Sequence, residues 1–208
     1  MDLQAREEAI LDAAAELLSE GSVDTLTMAA IAKRAGMSKR TLYEHFDSRD
    51  VLMGQVIARI GESIFRPLKE SETELPLPER LKALLTLNPP PGTQSEKIEF
   101  LRTIIARVQA YPRLAQQMCE NGRGRLRRNL QDELEKAVGD GELVLSEVQI
   151  SLAADMLIGM AFYDPIPQLL APAEPHPTEE MIRSRRNVAV DLFLSGCAAK
   201  NLGMPAGK

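Results

Sequence analysis

Basic side chains are concentrated between residues 33 and 49, and these are the residues of the chain most suited to contact with phosphate. Five cations and two carboxylates share this window: Lys33, Arg34, Lys39, Arg40 and Arg49, with Glu44 and Asp47. The window therefore has a net charge of +3, five less two, inside a chain whose formal net charge is −5. A local positive surface on an acidic protein is typical of a site that binds nucleic-acid phosphates. The alternative is a helical hairpin whose charges are simply solvated.

The stretch from Thr27 to Phe46 predicts the element that would carry these charges. Thr27 can cap a first short helix, Gly36 interrupts the helical pattern, and Ser38 can cap a second short helix. Two short helices joined by a turn that contains glycine form a helix-turn-helix. Leu42 and Phe46 have the spacing of core residues on the second helix.

An amphipathic helix precedes this stretch and is expected to cover its inner face. Its apolar positions recur at helical spacing: Ile10, Ala13, Ala14, Leu17 and Leu18. Gly21 ends it. The three helices would form a small head, and a longer helix over about residues 48–66 would connect this head to the rest of the chain.

The remaining two thirds of the chain also predict helices. Their expected ranges are 79–87, 96–111, 113–138, 146–163 and 178–201, and proline-rich segments separate several of them. Arginines cluster at positions 123, 125, 127 and 128, where we expect Arg127 and Arg128 to form ordinary helical ion pairs with Asp132 and Glu133. No stretch alternates convincingly as a strand, so the predicted fold class is all-α.

Composition and spacing exclude several classes of function. The 208 residues are 44% hydrophobic and 26% charged, which is ordinary for a soluble globular protein. No apolar run is long enough to span a membrane and the N-terminus does not resemble a signal peptide, so we expect a cytoplasmic protein.

Metal, cofactor and enzyme chemistry are not indicated by the sequence. Cys119 and Cys197 are far apart, as are His45 and His176, so no metal site or cofactor is expected. We predict both cysteines to be small buried thiols. Catalytic arrangements of carboxylates, Ser/His or Cys/His are not evident either, so an enzyme is not expected.

The N-terminal quarter of the chain resembles the DNA-binding head of the TetR/AcrR family of transcriptional regulators. The matching positions run in register: Arg6, Ile10, Leu11, Ala13, Ala14, Gly21, Thr27, Ile31, Ala32, Ala35, Gly36, Met37, Ser38, Thr41, Leu42, Tyr43, His45, Phe46, Ser48, Arg49, Asp50 and Leu52. The loop from Gly21 to Thr27 is slightly longer than the commonest form, and Arg49 stands where lysine is frequent. The resemblance implies an all-α protein with an N-terminal three-helix helix-turn-helix head, residues 1–49, and a C-terminal helical body for ligand binding and dimerisation, residues 50–208.

Under this resemblance the helix from Ser38 to Phe46 enters the major groove of double-stranded DNA. Arg40 would donate two hydrogen bonds to guanine, and the methyl group of Thr41 would suit a thymine methyl. The implied DNA-binding residues comprise a base-reading set (Lys39, Arg40, Thr41), a phosphate-contacting set (Thr27, Tyr43, His45, Arg49), and Ser38 at the start of the helix.

The resemblance also implies a homodimer formed through the last two helices, because a symmetric protein is the simplest reader of a palindromic operator. The apolar and small residues assigned to that face are Ile150, Ala153, Ala154, Leu157, Ile158, Gly159, Ala161, Val188, Ala189, Val190, Leu192, Phe193, Leu194, Gly196 and Ala198. The alternative is that these residues form an intramolecular core.

A pocket for a hydrophobic small-molecule inducer is expected among the central helices. Its implied lining is Phe100, Ile104, Val108, Tyr111, Met118, Met156, Met160, Phe162 and Tyr163, although such residues also serve as ordinary core. The resemblance thus implies a repressor of the TetR type that its inducer releases from DNA. The alternative is an inducer-independent architectural or scaffold factor that binds DNA.

Overall fold

The computed structural model describes residues 2–20, 26–88, 94–106, 108–171 and 175–197. Within these ranges every regular element is a helix and no β-strand occurs, so the predicted all-α class is confirmed. The α-helices of this part are α1 (Leu3–Glu20), α2 (Met28–Arg34), α3 (Lys39–His45), α4 (Arg49–Ile64), α5 (Leu77–Leu84), α6 (Gln94–Ala106), α7 (Pro112–Asn121), α8 (Arg123–Gly139), α9 (Glu147–Ala161), α10 (Ile166–Leu170) and α11 (Glu179–Cys197).

The described chain divides into two compact units, each with its own apolar core. The first unit contains α1 to α4, α6 and α7, and the second contains α5, α8, α9 and α11. Fully buried residues of the first core include Ile10, Ala14, Ile31, Leu42 and Leu52, and those of the second include Leu81, Leu130, Leu134, Ala154, Leu157 and Val190. The units are defined by packing alone, so the functional division into residues 1–49 and 50–208 stays a prediction.

Hydroxyl caps and one glycine define the helix-turn-helix. Thr27 Oγ1 and Ser38 Oγ each accept the backbone N–H three residues on at 3.1 Å, and Ser48 Oγ does so at 3.2 Å at the start of α4. Gly36 has φ +67° in the turn between α2 and α3, a left-handed conformation that glycine adopts without steric cost. The predicted helix-turn-helix is therefore confirmed, with its caps and turn at the expected residues.

The first helix covers the inner face of this motif as expected. Ile10 and Ala14 of α1 share one core with Ile31, Leu42 and Phe46, and none of these five residues is more than 1% exposed. Fully burying one such large apolar side chain contributes about 1.5–3 kcal/mol. The packing fixes which face of α3 points away from the protein.

Two glycines allow α4 to pack closely against α7. A Cβ at Gly54 would lie 2.6 Å from Oε1 of Gln117, and a Cβ at Gly61 would lie 2.8 Å from the carbonyl carbon of Asn121. The neighbour of Gly54 is the end of a flexible side chain, whereas the neighbour of Gly61 is backbone. Gly61 is therefore required by the approach of the two helices, and α7 belongs to the same unit as α4.

The single helix predicted over residues 113–138 is wrong, because the structure has two helices there, α7 and α8. The chain breaks at Gly122, which has φ −90° and ψ −108°, and whose N–H donates to the carbonyl of Met118 at 2.9 Å. Glycine tolerates this backbone conformation. The leucines on either side keep a helical spacing, so the sequence pattern does not reveal the break. The predicted helix over 96–111 also ends earlier, at Ala106. Residues 198–201 of the last predicted helix lie outside the described residues.

Most of the α9 residues assigned to a dimer face are core residues instead, and Gly159 is the exposed exception. Ile150, Ala153, Ala154, Leu157, Ile158 and Ala161 are all buried and pack with Val190 and Phe193 of α11. The intramolecular alternative is therefore correct for this set. A different apolar stripe of α9 is exposed: Val148 is 74% exposed, Leu152 57% and Met156 65%. Helix α9 is apolar on both faces, so periodicity alone did not distinguish them.

A buried ion cluster joins α5 to α8 in the second unit. Arg80 Nε donates to Glu133 Oε1 at 2.5 Å and Arg80 Nη2 donates to Glu142 Oε1 at 2.5 Å. Burial by itself lowers the pKa of Arg80, but the hydrogen bonds to Glu142 and Glu133 outweigh it and raise that pKa. Glu133 thus pairs with Arg80, which corrects the expectation that it would pair along its own helix.

Arg127 also differs from the expected helical ion pair. Its Nη2 lies 2.9 Å from Asp155 Oδ2 and donates to Ser151 Oγ at 2.8 Å, so it joins α8 to α9. The prediction of two buried thiols is wrong for Cys119, which is exposed, whereas Cys197 is partly buried. Among the described residues, no helix is both long and apolar enough to cross a membrane.

Candidate nucleic-acid interface

The outward face of α3 carries three of the predicted DNA-binding residues. Lys39, Arg40 and Tyr43 are exposed, whereas Leu42 and Phe46 on the opposite face are buried. The Tyr43 side chain is 54% exposed even though it is aromatic. An α-helix of this kind fits the major groove of B-DNA, and these three exposed residues lie outside the apolar core.

Arg40 forms an ion pair along its own helix. Its Nε lies 3.0 Å from Glu44 Oε1, and the two side chains are 89% and 57% exposed. An exposed pair of this type contributes about 0.3–0.5 kcal/mol. The pair therefore keeps Arg40 on the outer surface but restrains it only weakly. A nucleic acid that offers two acceptors can replace Glu44 with a small loss of free energy.

Hydroxyl groups at the starts of α2 and α3 already have partners inside the protein. Thr27 and Ser38 act as helix caps, and Ser38 Oγ also lies 2.9 Å from Thr41 Oγ1. Thr41 is only partly exposed. Thr27 and Ser38 therefore stabilise the motif as caps, and Thr41 has a hydroxyl partner within α3.

His45 and Arg49 are less exposed than the residues on the outward face of α3. His45 is half-buried at the end of α3, with its ring centroid 6.4 Å from that of Phe46. Arg49 Nε donates to the carbonyl oxygen of Leu26 at 2.5 Å, and its guanidinium carbon lies 5.0 Å from the ring centroid of Tyr111. The sequence did not predict that Arg49 and Tyr111 meet, since no local pattern relates them.

The other cations of the basic window differ in their surroundings. Lys33 is exposed, whereas Arg34 Nη1 pairs with Glu16 Oε2 of α1 at 3.2 Å. Arg34 thus joins α2 to α1 in addition to adding positive charge. The positive surface at the helix-turn-helix therefore includes Lys33, Lys39 and Arg40 as exposed cations.

Part of the predicted ligand set lies in the first unit. Ile104 is 5% exposed, and Tyr111 and Met118 pack against the same core. Val108 is 44% exposed. Phe100 belongs to α6, but its side chain lies outside the described part of the chain. The buried members contribute to the core of this unit.

The rest of the predicted ligand set lies in the second unit. A groove of about 610 Å³ there is bordered by α9 and α11. Met160 and Tyr163 line it together with Met181, Val188 and Leu192 of α11. Phe162 instead packs against the core of the unit, and Met156 lies on the exposed stripe of α9.

A guanidinium group also borders this groove. The guanidinium carbon of Arg185 lies 4.8 Å from the ring centroid of Tyr163. Its buried Nε has no hydrogen-bond acceptor among the described residues. The groove therefore combines apolar side chains with Glu180, Ser184 and the Nε donor of Arg185.

The fold and this surface define a helix-turn-helix DNA-binding protein. Comparison with known families identifies it further. Residues 10–56 match the family model described as bacterial regulatory proteins, tetR family, and residues 92–197 match the model described as AefR-like transcriptional repressor, C-terminal domain. The chain belongs to the TetR family of transcriptional regulators.

Solved structures of this family have the same fold. The flavonoid-responsive regulator FrrA has a TM-score of 0.67 at 25% identity, with 95% of this chain and 99% of that chain covered. A TetR transcriptional regulator from Agrobacterium tumefaciens has a TM-score of 0.69 at 22% identity, with 93% and 94% covered. FadR from Bacillus subtilis, solved with stearoyl-CoA, has a TM-score of 0.55 at 20% identity, with 91% and 98% covered. None of the curated proteins compared with this chain matches it.

Proposed function

We propose that this regulator is a repressor that binds a palindromic operator as a homodimer and leaves it when a hydrophobic small molecule binds. The observation that carries the DNA-binding part is the outward face of α3. Lys39, Arg40 and Tyr43 are exposed on a helix that Leu42 and Phe46 anchor in the core. A short helix held rigidly in this way can present donors to base edges in a fixed register.

The exposed residues of α3 have different proposed roles. Arg40 and Lys39 would read base edges, because long donors that project beyond the helix surface reach the major-groove atoms of guanine. Tyr43 would donate its hydroxyl to a phosphate, which positions the helix without reading sequence. The remaining predicted contacts, from Thr27, Ser38, Thr41, His45 and Arg49, would come from the edges of the motif.

The proposed dimer face is the exposed apolar surface of α9 and α11. Leu152 and Met156 of α9 are exposed, as are Val188 and Leu192 of α11, at 53% and 63%. A solvent-exposed row of large apolar side chains is unusual for a monomer and typical of an interface. A second copy that brings the same two helices would bury these side chains in a symmetric contact.

Two further observations support this face. Among the described residues, a Cβ added at Gly159 or Gly196 would meet no atom within 4 Å, so their packing does not require glycine at either position. Small residues allow a partner helix to approach closely. The unused donor of Arg185 also lies beside the apolar groove, where a second copy could provide an acceptor.

The proposals of repression and of an inducer depend on the comparisons. The C-terminal part matches a model described as that of a repressor, which supports repression. FrrA, at 25% identity, is flavonoid-responsive, which supports a hydrophobic ligand that carries rings. An inducer lowers operator affinity only if it binds the DNA-free conformation more tightly than the DNA-bound one.

The alternative is an architectural DNA-binding factor that has no inducer. The burial of Ile104 in the core of the first unit, with Met118 partly buried against the same core, favours it, because side chains that pack in a core do not line an open pocket. A thermal-shift screen of hydrophobic compounds separates the two proposals, since a ligand that binds the folded protein raises its melting temperature. A compound that stabilises the protein and releases DNA supports the inducer, and stabilisation without release supports the architectural factor.

Footprinting on the DNA that flanks the protein's own gene tests the primary proposal. We expect one protected palindromic site, and affinity for that site should fall as salt rises, by about 0.9 logarithmic units per phosphate contact for each tenfold increase in salt. A scrambled fragment of equal length is the control. Equal affinity for both fragments at all salt concentrations would contradict an operator-specific function.

A further inference from the structure

Arg49 connects three segments that are distant in the sequence. As the first residue of α4, it donates its Nε to the carbonyl oxygen of Leu26, which is fully buried just before α2. Its guanidinium group also lies over the ring of Tyr111, the N-cap residue of α7. All three segments belong to the first compact unit.

The contact with Leu26 restrains the start of the helix-turn-helix. Thr27 follows Leu26 and caps α2 by accepting the backbone N–H of Ala30 at 3.1 Å. A guanidinium group that donates from Nε while one face lies on an aromatic ring has little freedom to rotate. The Leu26 carbonyl, and with it the capped first turn of α2, is therefore fixed relative to α4.

Tyr111 is the N-cap residue of α7 and is therefore connected directly to the first turn of that helix. It immediately precedes Pro112, and α7 packs against α4 through Gly54 and Gly61. A cavity of about 130 Å³ borders the stacked pair and is lined by Arg49, Tyr111 and their neighbours. Tyr111 is half-buried, and its ring both faces Arg49 and packs against the core of the first unit.

We propose that Tyr111 is a positioning residue for the helix-turn-helix and that it acts through Arg49. The ring orients the guanidinium group, the guanidinium group holds the Leu26 carbonyl, and the held carbonyl orders the start of α2. Tyr111 thereby raises DNA affinity without touching DNA. The effect on DNA affinity rests on the proposed operator-binding function, whereas the ordering of α2 does not.

Hydrogen-exchange mass spectrometry of the full chain tests the ordering step without DNA. Tyr111→Leu should increase deuterium uptake in peptides that cover α2, and Tyr111→Phe should leave that uptake unchanged, because the ring remains. Peptides that cover α9 provide the internal control. Unchanged uptake in α2 for Tyr111→Leu would overturn the proposal, whether or not the protein binds an operator.

Operator affinity then tests the functional step through a double-mutant cycle. Tyr111→Leu should weaken binding by about 5-fold in the wild-type background, consistent with the loss of one partly buried cation–aromatic contact. In an Arg49→Leu background the same change should have less than about a 2-fold effect, because the residue through which it acts is gone.

Equal losses in both backgrounds would show that Tyr111 acts by general destabilisation and would overturn the proposal. A loss for Tyr111→Phe as large as that for Tyr111→Leu would overturn it too, since the hydroxyl rather than the ring would then matter. If the wild-type protein protects no operator, the proposed function fails, and the hydrogen-exchange comparison still decides the ordering role of Tyr111.

Discussion

Gly61 of α4 lies directly against the carbonyl group of Asn121, the residue at which α7 ends. A Cβ at position 61 would be 2.8 Å from the carbonyl carbon and nearer still to its oxygen. The neighbouring atoms are backbone, so no side chain can rotate away to make room. This contact joins the end of α7, where the chain breaks at Gly122, to the helix that follows the helix-turn-helix.

Gly61→Ala should therefore destabilise the first unit. We expect the free energy of unfolding to fall by about 1–3 kcal/mol, because α4 and α7 must separate to accommodate the methyl group. Urea denaturation followed by circular dichroism measures the change. Gly54→Ala should cost less, since its neighbour is the flexible end of Gln117.

Gly139→Ala is the matched control for this prediction. A Cβ at Gly139 would meet no atom of the described part of the chain within 4 Å, and the φ of Gly139 is not positive. We expect a change within about 0.5 kcal/mol, as for surface substitutions in general. If Gly61→Ala were as stable as Gly139→Ala, the close packing of α4 on α7 would be wrong.

The helix-turn-helix was predictable because its determinants are local. Thr27 and Ser38 each cap a backbone N–H three residues later, and Gly36 supplies the left-handed turn between the helices. Leu42 and Phe46 were correctly predicted as core from helical spacing alone. Interactions over three or four residues leave a pattern that can be read directly from the sequence.

Other features depend on contacts between distant residues and were not predictable in this way. The break at Gly122 lies in a run of correctly spaced leucines and adjoins the contact of Asn121 with Gly61. The stack of Arg49 on Tyr111 joins residues of the candidate site that no local pattern relates.

The sequence also does not show which face of α9 is buried, because both faces are apolar. Spacing alone does not separate the buried set that includes Leu157 from the exposed set that includes Leu152. Only the packing of α9 on α11 decides which set is buried.

The buried ion cluster of the second unit predicts an asymmetric response to mutation. Arg80 is 6% exposed and Glu133 is 7% exposed. Glu133→Leu should destabilise the protein by about 3–5 kcal/mol, because it leaves a buried guanidinium group short of an acceptor. Thermal or chemical denaturation measures the loss.

The double variant Arg80→Met with Glu133→Leu is the informative control. Removing both charges avoids an unpaired buried ion, so much of the stability lost in Glu133→Leu should return. If the double variant were less stable than Arg80→Met or Glu133→Leu alone, the loss would come from removing the ion pair itself. It would not come from leaving one buried charge unpaired.

The pair of Arg66 and Glu72 predicts a specific loss of stability in acid. Arg66 donates Nη1 and Nη2 to the two carboxylate oxygens of Glu72 at 2.6 and 2.8 Å, and the Lys69 N–H donates at 2.8 Å. These hydrogen bonds lower the pKa of Glu72 from 4.5 to about 2. The folded state thus binds this proton less readily than the unfolded state does.

The lowered pKa makes the contribution of Glu72 to the unfolding free energy depend on pH. The contribution of Glu72 is complete above its ordinary pKa of 4.5 and is lost as the pH falls toward about 2. We expect the difference in unfolding free energy between wild type and Glu72→Gln to shrink by about 1–3 kcal/mol over this range. Denaturant titrations at several pH values measure the difference, and a constant difference would contradict the prediction.

Leu152→Arg should dissociate the proposed dimer. The side chain lies within the exposed apolar stripe of α9, and a charge placed in the apolar centre of an interface is strongly unfavourable. We expect at least about a 100-fold increase in the dimer dissociation constant by analytical ultracentrifugation, as for loss of a central interface residue.

Leu3→Arg provides a matched control for the dimer prediction, because Leu3 is 69% exposed and lies in the first unit. It should leave the dissociation constant unchanged. If Leu152→Arg remained as dimeric as Leu3→Arg, the proposed dimer face would be wrong.

Arg40→Ala should relax base preference at one position of each half-site. Its side chain is 89% exposed and forms a weak pair with Glu44, so its guanidinium group can turn to a guanine at little cost. Loss of two hydrogen bonds to one base should weaken the cognate site by about 1–3 kcal/mol and leave mismatched sites at that position little changed. Competition binding against a set of single-base operator variants measures both effects.

Tyr43→Phe is the matched control, because it removes a hydroxyl proposed to contact phosphate from the same face of α3. It should weaken all operator variants by a similar factor and preserve their ranking. A uniform loss for Arg40→Ala, or a changed ranking for Tyr43→Phe, would show that the two roles are assigned to the wrong residues. Because both side chains are exposed and neither belongs to the core, such changes in binding would not arise from unfolding of the head.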